Sequence, residues 1–195
     1  MESLETTVPI EVIVVDGGSV DDTVAIAREY DATVIEGSDS SIAAGRNRGA
    51  EYASGQWFAF VDADTRVRPD YLPTMLEFVE ANDLTVASAR CRVTGPSRAK
   101  LVELTINHVF PRLERPVLPG FNFFVHHRTF DRFDGFPTVP NEDTALSREL
   151  GATVSTEYCP EVLVETSGRR IAEQGLTGTL WYYTRLDAQR VRAEY

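Results

Sequence analysis

Two carboxylates follow an apolar stretch of the chain at a spacing that suits metal binding. The stretch is Trp57–Phe60, extended by Val61, and Asp62 and Asp64 come directly after it. Five apolar residues in a row predict a strand buried on both faces of a parallel sheet. Ligands of open α/β sheets bind beyond the carboxyl ends of the strands, and residues two apart in extended chain project to the same side. Asp62 and Asp64 are therefore candidate ligands of Mg²⁺ or Mn²⁺, which prefer carboxylate oxygen; the alternative is a solvated turn.

A second acid follows the strand predicted at residues 10–15. Asp16 is succeeded by Gly17 and Gly18, and glycines let the backbone turn tightly and approach a ligand closely. Asp16 and Gly17 are therefore candidates for ligand binding, although the same residue types favour an ordinary strand-to-helix turn. The sequence contains no Gly-Xaa-Gly-Xaa-Xaa-Gly motif, so a dinucleotide-binding Rossmann unit is not predicted.

Three arginines are candidates for binding an anion. Arg46 interrupts a small, apolar stripe on the helix predicted at residues 42–53, where, if buried, it needs an anionic ligand or the carboxylate of Asp16 as a partner; the alternative is an ordinary surface arginine. Arg169 and Arg170 follow a glycine late in the chain. Paired arginines suit phosphate binding, and they equally suit a solvated loop on an acidic protein.

Two adjacent acids begin a helix that is predicted to end at Gly151. Asn141 is a favourable N-cap, and Glu142 and Asp143 in the first turn suit the helix dipole. A carboxylate held at a helix start on the crevice side is also a candidate general base. Spacing alone leaves the structural and the catalytic interpretation equally open.

The remaining pattern predicts an α/β protein with a mixed sheet. Clean alternation over residues 85–93 is typical of an antiparallel or edge strand, and residues 152–156 and 161–166 read as two further strands. Residues 37–41 are predicted to form a polar loop. We expect one domain over residues 1–195, closing with a loop and a helix from about residue 167.

One amphipathic segment has two interpretations. Ser97 is a candidate cap for a helix with Leu101, Ile106 and Val109 on one side. This apolar face is expected to rest on the core, as in most soluble proteins, and the alternative is contact with a lipid surface.

Composition narrows the class of protein. The 195 residues include 30 acids and 19 bases, for a net charge of −11, which argues against non-specific nucleic-acid binding. Lys100 is the one lysine, and a lysine-poor acidic surface suggests a halophilic host in which salt screens charge repulsion. Cys91 and Cys159 have neither disulfide-framework nor metal spacing and are expected to be small buried residues. With no signal peptide or apolar run of membrane-spanning length, a cytoplasmic location is expected.

The order of the motifs points to a family. The chain contains, in sequence, Val14-Val15-Asp16-Gly17-Gly18-Ser19, Gly45-Arg46-Asn47-Arg48-Gly49-Ala50, Phe60-Val61-Asp62-Ala63-Asp64, and Gly135-Phe136 ahead of Glu142-Asp143. Over about residues 10–150 this resembles the family 2 glycosyltransferases of the GT-A fold. The resemblance implies a Rossmann-like α/β sandwich with a mostly parallel central sheet, an antiparallel portion, and helices on both faces. It also implies transfer of a sugar, with inversion, from a nucleotide-diphosphate-sugar to an acceptor hydroxyl.

The resemblance assigns roles on the donor side. Asp16 is similar to the acid that contacts the nucleotide base, and Arg46 to a basic residue near the base and phosphates. Asp62 and Asp64 resemble the Asp-Xaa-Asp pair, the first near the ribose and the second on the Mg²⁺ or Mn²⁺ that bridges the diphosphate. The implied donor is of the UDP- or GDP-sugar type.

On the acceptor side, Asp143 is similar to the catalytic base, with Glu142 beside it. Arg169 and Arg170 are candidates to assist as charge develops on the leaving diphosphate. The implied acceptor is a glycan or a lipid-linked sugar, and a lipid-linked acceptor adds an expectation of peripheral contact at the inner membrane face.

One departure from the family pattern leaves other functions open. Family members normally begin with a strand and a Pro-Xaa-Xaa-Asn-Glu-like loop, and residues 1–9 are too short for that strand and the helix after it. The true start then lies upstream, or the form is shortened. A non-catalytic binding protein that lost its first strand, or a nucleotidyltransferase that shares the acidic pair, is the alternative to the glycosyltransferase.

Overall fold

The computed structural model describes residues 8–37 and 41–193. Most of the opening segment of residues 1–9, and the middle of the predicted polar loop at 37–41, lie outside these residues. The strands are β1 Ile13–Asp16, β2 Thr33–Glu36, β3 Trp57–Phe60, β4 Thr65–Val67, β5 Val86–Thr94, β6 Phe123–His126 and β7 Thr156–Ser167. The α-helices are α1 Thr23–Glu29, α2 Ile42–Tyr52, α3 Tyr71–Ala81, α4 Ala99–Leu104, α5 His127–Arg132, α6 Glu142–Leu150 and α7 Arg169–Ala193.

The described strands form two sheets. Five strands pair in the order β3-β6-β5-β7-β4, and β1 pairs with β2 in parallel. β3, β5 and β7 run in one direction, while β6 and β4 run in the other. This mixed sheet agrees with the predicted α/β class, with β6 and β4 as its antiparallel portion.

Helices pack on both faces of the five-stranded sheet. On β6, Phe124 joins a core cluster with Met75 of α3, while its neighbours Phe123 and Val125 join a second cluster with Leu146 of α6. Successive side chains of a strand point to opposite faces, so the two clusters lie on opposite sides of the sheet. Each core therefore requires its own layer of helices.

Three strand predictions need correction. β3 was expected to be buried on both faces, but Ala59 is exposed and Phe60 half-buried, because among the described strands β3 pairs only with β6. β5, which contains the alternating segment, pairs antiparallel with β6 as predicted, but it is interior and not half-buried, and its Ser88 is buried and donates to the carbonyl of Asn122 at 2.7 Å. The two strands expected after residue 151 are one strand, β7.

Two helix starts also differ from expectation. Asn141 precedes α6 in a left-handed conformation, with φ of 54°, and its side chain makes no capping hydrogen bond. Helix α7 begins at Arg169, so Arg169 and Arg170 lie in its first turn and not in a loop. A kink at Gly175, with φ of 71°, divides this helix.

The amphipathic segment continues beyond α4 as a π-helical turn, Thr105–Val109, and a 3-10 turn, Phe110–Arg112. Ser97 makes no cap, because Arg98 occupies that position without a side-chain bond. Ile106 is buried as expected, but Leu101 and Val109 are 53% and 51% exposed. The expectation that the whole apolar face rests on the core was therefore wrong for its outer residues.

Candidate active site

A network of charged side chains centres on Arg46 of α2. The guanidinium donates to Asp62 Oδ1 at 2.7 Å and to Glu142 Oε1 at 2.6 Å. It also lies 5.2 Å from the ring centroid of Phe136. The Arg46 side chain is only 12% exposed, so both carboxylates are needed to balance a nearly buried charge. Arg46 therefore pairs with Asp62 and Glu142, and not with Asp16.

Burial shifts the pKa of one member of this network. The pKa of Glu142 is raised, first by burial and then by the negative charge of Asp143. Arg46 lowers it and Asp62 raises it again by a smaller amount. Removing a carboxylate from water disfavours its charged form, and one arginine shared between two acids compensates incompletely.

Gly120 connects Arg46 with the predicted base. A Cβ atom added to Gly120 would lie 2.3–2.6 Å from the guanidinium atoms of Arg46, so the position leaves no room for a side chain. The N–H of Gly120 donates to Asp143 Oδ2 at 2.9 Å. The backbone of Gly120 thus approaches a cation and a carboxylate at once, and any side chain at this position would have to displace the guanidinium of Arg46.

Asp143 is held by backbone donors on both oxygens. Gly120 N–H binds Oδ2, and the N–H of Thr144 donates to Oδ1 at 2.6 Å. Further along α6, Ser147 Oγ accepts from the N–H of Leu118, which positions the chain that leads to Gly120. The carboxylate is therefore oriented by the loop before β6 as well as by its own helix.

The loop after β1 orders a carboxylate by local contacts. The N–H groups of Gly18 and Ser19 both donate to Asp16 Oδ2 at 2.9 Å, and Gly18 has φ of 102°. Hydrogen bonds from the hydroxyl and the N–H of Ser19 lower the pKa of Asp16. A Cβ added to Gly17 would meet nothing within 4 Å, so its backbone is accessible to a ligand.

Asn47 was not predicted as a site residue. Its Nδ2 donates to the carbonyl of Phe136, and its Oδ1 accepts from the N–H of Phe136, both at 2.8 Å. These bonds attach α2 to the turn before α6, and Gly135 has no room for a Cβ beside Asn47. The sequence feature that could have identified Asn47 is its position next to Arg46 in Gly45-Arg46-Asn47-Arg48-Gly49.

The other predicted residues lie outside the Arg46 network. None of the hydrogen bonds or ion pairs of the described chain joins Asp16, Asp64, Arg169 or Arg170 to it. Asp64 is exposed, in the turn closed by the N–H of Thr65 on the carbonyl of Asp62 at 3.0 Å.

Helix α7 brings an arginine and two tyrosines together. Arg170 donates to the hydroxyl of Tyr183 at 2.8 Å and lies 4.4 Å from the ring centroid of Tyr182. The pKa of Tyr183 is raised by burial, lowered by Arg170 and raised by Asp143. Arg170 is therefore the direct partner of Tyr183.

Comparison with known proteins identifies the family. The profile described as Glycosyl transferase family 2 matches residues 3–134. The chain belongs to this family, as its ordered motifs predicted. It is 36% identical over 94 residues to the uncharacterized glycosyltransferase YibD of Escherichia coli (strain K12), covering 45% of this chain and 27% of that protein. Identity to EpsH of Bacillus subtilis (strain 168) is 36% over 96 residues, or 45% and 28% of the two chains.

Solved structures show the GT-A fold. A structure of S. aureus TarS 1-349 with UDP superposes with a TM-score of 0.67 at 17% identity, covering 84% of this chain and 54% of that one. The mannosyltransferase PcManGT of Pyrobaculum calidifontis, in complex with GDP-Man and Mn²⁺, superposes with a TM-score of 0.64 at 19% identity, covering 90% and 55%. The chain thus spans about half of these structures and about a quarter of the curated relatives.

Proposed function

We propose that this protein is an inverting glycosyltransferase that moves a sugar from a nucleotide-diphosphate-sugar to the hydroxyl of a glycan or lipid-linked acceptor. One observation carries the proposal. Three separate sequence motifs supply Arg46, Asp62 and Glu142 to one hydrogen-bonded network, and Gly120 links that network to Asp143. Arg46, a candidate donor-binding group, and Asp143, the candidate base, thus both lie next to the backbone of Gly120.

On the donor side, Asp16 and Gly17 contact the nucleotide, and Asp62 lies near the ribose. The ordered carboxylate of Asp16 and the open backbone of Gly17 support these roles. Arg46 contributes positive charge near the phosphates. The structures of related folds with UDP and with GDP-Man support a donor of the UDP- or GDP-sugar type.

A divalent cation, Mg²⁺ or Mn²⁺, fits the carboxylates of Asp62 and Asp64. Asp64 has no hydrogen-bond or ion-pair partner among the described residues, and Asp62 gives one oxygen to Arg46. No group of three potential metal ligands occurs in the described chain, so two carboxylates would share the ion with the donor diphosphate, as Mg²⁺ sites commonly do. When bound, the ion would offset the charge that develops on the diphosphate. The Mn²⁺ in PcManGT supports this assignment.

Asp143 acts as the general base. The acceptor oxygen attacks the anomeric carbon, its proton passes to the Asp143 carboxylate, and the bond to the diphosphate oxygen breaks, so that the nucleoside diphosphate leaves. Attack opposite to the leaving group inverts the anomeric configuration. The two backbone N–H groups on Asp143 orient its oxygens.

Glu142 and the arginines of α7 have supporting roles. Glu142 holds Arg46 in place from the base side, and it adds the negative charge that keeps the guanidinium compensated. Arg170, and Arg169 beside it, add positive charge for the leaving diphosphate. The contact of Arg170 with Tyr183 orders the guanidinium on α7.

The decisive experiment replaces the base. A donor is first found by thermal-shift screening of UDP- and GDP-sugars with Mn²⁺, since a ligand bound only by the folded protein raises the melting temperature. Asp143→Asn is then expected to lower transfer or donor hydrolysis by at least about 100-fold with little change in donor binding. Glu149→Gln, an exposed acid on the same helix, is the matched control and should keep wild-type activity.

Two results would contradict the proposal. If Asp143→Asn keeps wild-type turnover, the carboxylate is not the base, as in a nucleotidyltransferase. If the wild-type protein binds donors without turning them over with any acceptor tested, it is a binding protein.

A further inference from the structure

We propose that the segment at residues 98–115 docks on an anionic lipid bilayer, and that the acceptor is accordingly a membrane-bound amphiphile that presents a hydroxyl. The statement about the acceptor rests on the proposed function, whereas docking itself does not. The outer face of this segment is defined by the exposed side chains Leu101, Leu104, His108, Val109, Arg112 and Leu113.

The outer face exposes large apolar side chains close together. Leu101, Leu104, Val109 and Leu113 are 53%, 52%, 51% and 42% exposed. Leu101 and Leu104 are three apart, and neighbours at this spacing lie on one side of a helix. Isolated exposed apolar residues are ordinary, but four such side chains within thirteen residues of sequence favour an interaction surface.

The inner side of the segment fixes this orientation. Asn107 is buried and makes two hydrogen bonds with the backbone of Cys91 on β5, at 2.9 and 2.7 Å. Glu103 accepts from the N–H of Val93 at 2.8 Å, and Ile106 is 7% exposed in the core. Rotating the segment to hide its leucines would break these bonds and expose Ile106. The apolar residues therefore remain on the outside.

The charge of residues 98–115 favours an anionic bilayer, and not a second copy of the protein, as the partner of the outer face. Residues 98–115 contain four bases and two acids, a net of +2 in a chain whose net charge is −11. One of the bases, Arg112, is on the outer face among the leucines. A locally basic, amphipathic segment on an otherwise acidic protein suits the interface of a bilayer that carries anionic lipids. A two-fold contact with a second copy would instead bring two positive patches together.

Docking is peripheral and not membrane-spanning. Among the described residues, no helix combines the length with the apolar character needed to cross a bilayer. The segment from α4 through the 3-10 turn, residues 99–112, is about 21 Å long at the rise of an α-helix, enough to lie in the plane of the interface.

The docking segment leads directly to the predicted base. From Leu113 the chain reaches the buried Leu118, which is bonded to α6, and then Gly120, whose N–H binds Asp143. Seven residues span at most about 25 Å, so the base lies within that distance of the bilayer contact. An acceptor whose head group projects from the membrane can then present its hydroxyl to Asp143.

Vesicle co-sedimentation tests docking. Vesicles of equal parts phosphatidylglycerol and phosphatidylcholine should bind the wild-type protein, and vesicles of phosphatidylcholine alone should bind it more weakly. The double variant Leu101→Glu with Leu104→Glu should lose at least about tenfold in binding, because two leucines no longer enter the interface. Arg112→Gln should weaken binding to the anionic vesicles only.

A matched control separates this surface from general stickiness. Ile26→Glu changes an equally exposed apolar residue on α1, 49% accessible, and should bind vesicles like the wild type. The double variant should keep the wild-type circular dichroism spectrum and the wild-type thermal shift with UDP and Mn²⁺. Its donor hydrolysis should also be unchanged, while transfer to an acceptor embedded in vesicles falls.

The outcomes distinguish this inference from the proposed function. Docking is overturned if the wild type remains in the supernatant with both vesicles, or if the double variant binds as well as the wild type. It is also overturned if the outer face proves to be a dimer contact, so that the double variant converts a dimer to a monomer without altering vesicle binding. A fully active Asp143→Asn variant overturns the glycosyltransferase mechanism and leaves vesicle binding intact.

Discussion

Two acids of the candidate site, Asp16 and Glu142, have their pKa values shifted in opposite directions. Asp16 is ordered by the two residues that follow Gly17, and hydrogen bonds from Ser19 lower its pKa. Glu142 pairs with Arg46, ninety-six residues earlier in the chain, and burial raises its pKa. Within the part of the chain that the structure describes, the first carboxylate accepts hydrogen bonds only from residues two and three positions further along. The second depends on tertiary structure.

The difference predicts where the site is fragile. Local hydrogen bonds survive changes elsewhere in the protein, whereas a buried ion network fails when one member is lost. The Arg46 network should therefore respond strongly to substitution, and the Asp16 loop weakly.

The largest effect on stability should come from replacing Arg46, whose positive charge is shared by Asp62 and Glu142. Arg46→Met should lower the free energy of unfolding by about 2 kcal/mol, because it leaves Glu142 and Asp62 close together without a positive charge. Donor turnover should fall as well. Urea unfolding at pH 7 gives the stability, and Arg28→Met, which breaks an exposed ion pair with Glu36, is the control. Equal losses in the two variants would show that the Arg46 network has no special role in stability.

A pair of glycine substitutions should give the next effect. Gly120→Ala should destabilise the protein by about 1–2 kcal/mol, because the added methyl group collides with the guanidinium of Arg46. Gly17→Ala should change stability by less than about 1 kcal/mol, because a Cβ there meets nothing and glycine loses more chain entropy on folding. Thermal unfolding of both variants checks the contrast, and a harmless Gly120→Ala would argue against the close approach of Arg46.

The opposite pKa shifts predict opposite responses to pH. The stability contributed by Asp16 is present above its ordinary pKa of 3.8 and is lost as pH falls through its lowered value. The stability contributed by the protonation of Glu142 is present below its ordinary value of 4.5 and is lost as pH rises through its raised value.

Unfolding across a pH series measures both effects. Relative to Asp16→Asn, the wild type should lose its stability advantage as the solution is acidified below pH 3.8. Relative to Glu142→Gln, it should lose stability as the pH is raised above 4.5. Parallel curves for the wild type and either variant would show that the corresponding pKa is not shifted.

The smallest expected effect is that of salt concentration on stability, and it should differ between the exposed acidic surface and the Arg46 network. If the acidic, lysine-poor surface is adapted to concentrated salt, the melting temperature should rise with KCl as repulsion between exposed acids is screened. The loss caused by Arg46→Met should change less with salt, because the Arg46 and Glu142 side chains are only 12% and 13% exposed. Full stability in dilute buffer, with no further rise, would contradict the halophilic hypothesis.

Local patterns predicted much of this protein. The strands ending at Asp16 and near Asp62, the helix from Glu142 to Leu150, and the burial of Cys91 and Cys159 follow from apolar runs, turn residues and periodicity. The ordered motifs predicted the family, which the profile match confirmed. These features depend on neighbours in sequence, where spacing carries the information.

Those local patterns did not predict which distant segments of the chain pack or pair with one another. That β3 ends the five-stranded sheet, that residues 156–167 form one strand, and that Leu101 faces outward all depend on which surfaces meet. The choice of Arg46 as the partner of Asp62 and Glu142, and the need for glycine at 120, arise only when distant segments converge.

The sequence by itself thus determined which residues are chemically able to act: carboxylates at strand ends, an arginine among small residues, and an acidic pair at a helix start. Tertiary structure decided which of them share a charge, and which apolar side chains remain outside. The physical reason is the separation in sequence over which each interaction acts. Turns and helix caps are stabilised within a few residues, but burial and the pairing of charges depend on every segment packed around them.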